Sequence, residues 1–128
     1  MHNKHSIEIR VRYQETDQGG LLYHGNYFAY FEMGRTELLR SSGYTYREME
    51  AAGAFAVVVK LDCSYKRPAR YDDLLTLNTE IVRSTKFKVE HEYTLYRNEE
   101  LLAIAHTTIG FVNREGIIVP VPEWMAIE

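Results

Sequence analysis

The sequence predicts an α+β architecture in which one long central helix is wrapped by a curved five-stranded antiparallel sheet. Three observations carry that expectation. The chain opens on a polar–apolar alternation, a helical period rich in aromatic residues takes over from Asn26, and four long strand-like runs follow Gly53 without a helix between them. A helix with so broad an aromatic and aliphatic surface must bury it, and a long one-sided sheet is the layer that can receive it.

Taken in order, Ile7, Ile9, Val11 and Tyr13 alternate with Glu8, Arg10 and Arg12, the pattern of a strand with one buried face. The loop Asp17-Gln18-Gly19-Gly20 follows. From Asn26, the residues Tyr27, Tyr30, Phe31, Gly34 and Leu38 fall on one helical face, which Phe28 and Leu39 widen. Asn26 is expected to cap this helix, and Gly43 after Ser41-Ser42 to stop it. Thr45 to Gly53 reads as a second, short helix. "FAVVVKLDCSYKR" is apolar and β-branched up to Leu61 and alternates beyond it. Arg67 to Asp73 reads as a turn, with Pro68 removing a donor and acids that favour turn geometry. Three more alternating runs complete the sheet, with Asn98-Glu99 as the hairpin turn between the last two. Pro120 and Pro122 end strand pairing.

Length and composition narrow the function classes. With 128 residues, one domain over 1–128 is expected, large enough for a true core. A net charge of -3 argues against nucleic acid, which calls for a concentrated basic surface. Cys63 is the only cysteine, which excludes an internal disulfide and a cysteine-rich zinc site. The opening residues alternate and hold no apolar core, so they do not read as a signal peptide, and no window approaches a membrane span. The expected location is the cytoplasm. Ten tyrosines suit half-apolar, half-wet surfaces such as subunit edges and ligand tunnels. His2, His5, His91 and His106 match no standard metal spacing, and Cys63 reads as a packed small side chain.

The order of elements, together with Asp17, Gly20, His24, Asn26 and Tyr27 in "TDQGGLLYHGNYFAYFEMGRTELL", resembles the hotdog-fold thioesterases. The likeness is to the 4-hydroxybenzoyl-CoA thioesterase family and its bacterial branch acting on short acyl-CoAs. "YKRPARYDDLLTLNTEI" is similar to a later strand–turn–strand of the same family. Gly19 and Gly25 depart from it, standing where relatives carry larger residues.

The resemblance implies hydrolysis of an acyl-CoA to free CoA and a carboxylic acid, with no metal or organic cofactor. It also implies at least a homodimer, with a homotetramer as the larger expectation and active sites between subunits. Thioester hydrolysis needs a nucleophile or a base for water, and stabilisation of negative charge on the carbonyl oxygen. Asp17 is the expected carboxylate in either role. The unpaired N–H groups of a helix start can supply the charge stabilisation, and by resemblance the His24 amide is the leading donor. Gly25, without a Cβ, would let the thioester approach the backbone closely. The His24 ring can protonate the leaving thiolate, since imidazole titrates near neutrality. Tyr13 is placed beside the carboxylate, and Gly20, Asn26 and Tyr27 complete the substrate-binding motif. Glu32 and Arg35, three apart, are expected to pair, with Glu32 a fallback carboxylate. Lys66, Arg67 and Arg70, with Lys60, form one basic group for the CoA phosphates; Lys86 and Lys88, with Arg83, form another.

Three rival readings stay open. The substrate can be an acyl-carrier-protein thioester instead of a CoA ester. The chain can be a non-catalytic hotdog module that binds acyl-CoA, against which stands the acid in the helix-start loop. A cone-shaped α+β ligand-binding domain is the third, although that fold usually begins with helices.

Overall fold

The chain forms strand β1 (Lys4–Arg10), a 3-10 turn (Tyr13–Glu15), helix α1 (Asn26–Ser41) and the short helix α2 (Tyr46–Ala51). Four strands follow, β2 (Phe55–Tyr65), β3 (Leu74–Ser84), β4 (Val89–Arg97) and β5 (Glu100–Val112), before a last 3-10 turn (Glu123–Met125). The computed structural model describes residues 1–125. All strands pair antiparallel in one sheet of order β1-β3-β4-β5-β2. The helix-then-four-strands order is the expected one. The Asn98-Glu99 turn joins β4 to β5 with Asn98 at φ 55°, a left-handed position that Asn tolerates.

Helix α1 lies on the sheet through the predicted face, burying Tyr27, Tyr30, Phe31, Gly34, Leu38 and Leu39. Its first half packs with Ile9, Val11, Leu75, Leu77, Tyr93 and Leu95; its second half packs with Ile81, Val89, Ile109 and Phe111. Full burial of a side chain such as Phe31 or Leu38 contributes about 1.5–3 kcal/mol. Gly34 is where helix and sheet come closest. A Cβ there would collide with the Thr79 side chain and sit 2.9 Å from Leu77 Cδ2. Past the Ser42 cap of α1 the chain turns at Gly43, at φ +88°, and Thr45 caps α2 by accepting the Glu48 N–H at 3.1 Å.

Three sequence expectations are corrected. The first strand stops at Arg10, because the Glu15 carboxylate accepts the Arg12 N–H and closes a 3-10 turn. Tyr13 is thereby rotated out of the strand pattern and is 78 % exposed. Asn26 does not cap α1. Gly25 holds that position, and Asn26 is the first helical residue, its amide donating to the Glu15 carbonyl at 2.9 Å. Glu32 and Arg35 form no ion pair among the described residues. Arg35 turns inward and donates to the Tyr93 hydroxyl at 3.0 Å, which is itself 2.6 Å from Thr107 Oγ1.

Strand β2 lies at the edge, with Val57, Val58, Val59 and Leu61 between 39 % and 54 % exposed. A long apolar edge of this kind is a ready template for pairing with another chain.

Candidate active site

The Asp17 loop is a small closed structure. The Asp17 N–H donates to the Leu21 carbonyl at 2.8 Å, and the Gly20 N–H donates to the Asp17 carbonyl at 3.0 Å. Asp17 Oδ1 accepts the N–H groups of Gly19 at 2.9 Å and Leu21 at 3.2 Å. Gly20 at φ +80° makes the turn possible. One carboxylate oxygen therefore holds the loop, and Oδ2 has no hydrogen-bond partner among the described residues. The turn role and the availability of a carboxylate oxygen are compatible in this geometry. The loop is fastened to the β2–β3 turn by Leu22 N–H donating to the Ala69 carbonyl at 2.8 Å and by a bridge between Leu21 and Arg70.

Next to it, the turn His24–Gly25 leads into α1. The N–H groups of His24 and Gly25 meet no acceptor among the described residues, whereas those of Asn26 and Tyr27 close the turn onto the Tyr23 and His24 carbonyls. These free donors stand at the positive end of a 16-residue helix, where negative charge is favoured. Gly25 also lies under the exposed Tyr23 ring. A Cβ would lie 2.8 Å from the Tyr23 ring. The His24 ring is exposed and lies against Tyr23, with centroids 4.3 Å apart and the rings tilted by 43°. Its carbonyl is held from the edge strand by the Tyr65 hydroxyl, which donates at 2.9 Å. Partial burial and the neighbouring Cys63 push the Tyr65 phenol up to about 12, so it stays a donor at neutral pH. Tyr27, buried beneath, meets Tyr65 edge-on at 4.7 Å, and burial pushes its phenol up as well.

These pieces line one open cleft of about 440 Å³, walled by Asp17, His24, Tyr27, Tyr65, Lys66 and Arg67, with Leu21, Leu22 and Pro68 supplying its apolar surface. The structure thus brings together Asp17, His24, Tyr27, Lys66 and Arg67, with Gly20 and Gly25 shaping the two turns. Other expected residues lie apart. Tyr13 stacks edge-on against Tyr71 at 5.4 Å instead of lining the cleft. Asn26 is directed to Glu15, and the Arg70 backbone is tied to the loop and to Asp73. Arg67 shares its charge with Glu100 at 3.4 Å. Lys86 lies over Phe87, and Lys88 lines another depression with Val59, Lys60 and Arg83. Sequence reasoning missed Tyr65 and Glu15. Each is a single ordinary residue whose partners, His24 and Tyr30, come from another segment. Among the described residues no cluster suited to a metal ion occurs, and no helix is long and apolar enough to cross a membrane.

Comparison with known proteins gives the family. The model of the thioesterase-like superfamily matches residues 11–127. The acyl-CoA thioester hydrolase YbgC of Escherichia coli O157:H7 is 38 % identical over 103 residues, covering 75 % of this chain and 77 % of that protein. The acyl-CoA thioesterase YbgC of Haemophilus influenzae is 36 % identical over 112 residues, covering 87 % and 82 %. A crystal structure of a probable thioesterase from Bartonella henselae superposes with a TM-score of 0.88 at 33 % identity, covering 93 % of this chain and 99 % of that one. With its helix on a five-stranded antiparallel sheet, this chain belongs to the thioesterase-like superfamily and has the hotdog fold.

Proposed function

We propose that this thioester hydrolase cleaves an acyl-CoA into free CoA and a carboxylic acid in the cleft between the Asp17 loop and the start of α1. The observation that carries the reading is the meeting of a carboxylate with the free N–H groups of His24 and Gly25 beside Lys66 and Arg67. Asp17 attacks the thioester carbon, and the carbonyl oxygen takes the negative charge against those N–H donors. Collapse expels the CoA thiolate, which takes a proton from His24 or water. Water then opens the mixed anhydride, returning Asp17 as a carboxylate. In the alternative route, Asp17 removes a proton from the water that attacks directly; the products are the same.

Lys66 and Arg67 meet the CoA phosphates on the cleft wall, as charge-assisted donors do. Lys86 and Lys88, outside this cleft, reach a CoA only across a subunit boundary. A homodimer is proposed on the exposed apolar edge of β2, with Tyr65 belonging both to that edge and to the cleft. Two dimers can associate further into a tetramer.

Release of free thiol from short, long and aromatic acyl-CoAs, beside the same acyl groups on carrier-protein phosphopantetheine, tests the reading. Turnover of at least one CoA ester is expected, and its acyl group names the substrate class. Turnover of carrier-protein esters alone replaces CoA by a protein partner. Tight CoA-ester binding without turnover of anything returns the non-catalytic module.

A further inference from the structure

Four hydrogen bonds converge on Glu15, two residues before Asp17. Its carbonyl oxygen accepts the Tyr23 N–H and the Asn26 side-chain amide, both at 2.9 Å. Its Oε1 accepts the Arg12 N–H at 2.8 Å and the Tyr30 hydroxyl at 2.7 Å. The Glu15 side chain is 13 % exposed and Tyr30 is fully buried, so water competes little for the bond between them. Burial and the Glu15 carboxylate both push the Tyr30 phenol up, which keeps it a donor.

This convergence has a geometric consequence. His24 lies between Tyr23 and Asn26, both fastened to the same carbonyl, and Asp17 is two residues along the chain from it. Glu15 thus ties the chain on both sides of His24 to the segment that carries Asp17. We infer that Glu15 is a positioning residue for the thioester chemistry, locked in place by the Tyr30 hydroxyl reaching out from the buried face of α1. The inference rests on the roles proposed above for Asp17 and His24. Glu15 is not on the cleft wall, so it acts through those two groups and does not touch substrate. Both partners of Oε1 are donors, so the position requires an acceptor. Gln retains one and Ala does not.

The test uses the acyl-CoA that the wild type cleaves best, and the matching unreactive thioether of CoA as a binding probe. Glu15→Ala is expected to lower kcat about 10- to 100-fold, the usual cost of a misplaced reacting pair. KM and the thioether Kd should stay within about threefold, because substrate contacts survive. Glu15→Gln should recover kcat to within about fivefold of wild type, and Tyr30→Phe should fall between the two. Adding Tyr30→Phe to Glu15→Ala should cost nothing further, since both remove one interaction. A folded Glu15→Ala enzyme with lowered Tm and wild-type kcat overturns the inference, leaving Glu15 merely structural. Should Glu15→Ala fail to fold, Tyr30→Phe decides alone, and wild-type kcat there overturns it. Full activity in Asp17→Asn removes the underlying reading and this inference with it. An inactive Asp17→Asn beside a fully active Glu15→Ala removes only this one.

Discussion

His91 sits on the buried face of β4, 2 % exposed, with Nδ1 unbonded among the described residues. Burial, assisted by the nearby Arg35 charge, pushes its pKa down to about 3, so the folded ring is neutral. Unfolding returns it to water, where histidine protonates near pH 6.5. The unfolded state then binds the extra proton, and stability falls as pH drops from about 6.5 towards 3. By pH 5 the loss is about 2 kcal/mol. His106 acts in the opposite direction. Partial burial opposes its charge, but Asp62 at 3.1 Å and Glu92 at 3.0 Å prevail and raise its pKa. Its contribution is complete below the unfolded value and lost as pH rises through the folded one, and its exposure keeps it small. His91→Leu is therefore expected to shrink the gap between urea midpoints at pH 7.5 and pH 5. An unchanged gap would show that His91 is not the acid-sensitive group. The sequence marks His91 only as a strand histidine, because burial and Arg35 reach it through folding. Glu15 is equally silent in "RVRYQETDQ", where nothing announces that Tyr30 will meet it.

At the level of elements, periodicity was enough to read α1, its buried face and the four strands after Gly53, since those depend on local spacing, whereas it carried the first strand past its end at Arg10. What spacing does not encode is the neighbour. "FAVVVKL" reads as a strand, but its place at the sheet edge follows from β2 pairing with β5, some 50 residues away in register. The Asn26 cap failed for a related reason. The side chain that would have accepted an N–H of its own helix instead donates its amide to the Glu15 carbonyl and ties α1 to that segment. The exposed valines of β2 carry the proposal of a second copy, and Val58→Asp places a charge in the middle of that edge. The expected outcome is a monomer by light scattering, with thioesterase activity reduced at least about tenfold, since Tyr65 and its cleft adjoin the lost interface. A Val58→Asp protein that keeps the wild-type mass in solution would remove β2 as the interface.

For the whole molecule, the sheet and helix act as a scaffold that brings a loop from before α1 against the turn between β2 and β3. The cleft they form holds the acid, the helix-start donors and two cations in one place. The Asp-loop signature was legible in the sequence because it is continuous from Asp17 to Tyr27. The cationic wall was only half legible. Lys66 and Arg67 reach the cleft, while Lys86 and Lys88 lie on another part of the surface. The most direct test of the account is free-thiol release by Asp17→Asn against wild type at pH 7.5, on the acyl-CoA that the wild type turns over fastest. Asn keeps the size and can still accept the Gly19 and Leu21 N–H bonds, so the loop should stand while the charge is gone. The account predicts a folded enzyme slower by about 100-fold or more. A folded Asp17→Asn enzyme as fast as wild type would contradict it and leave Asp17 as the keystone of a turn.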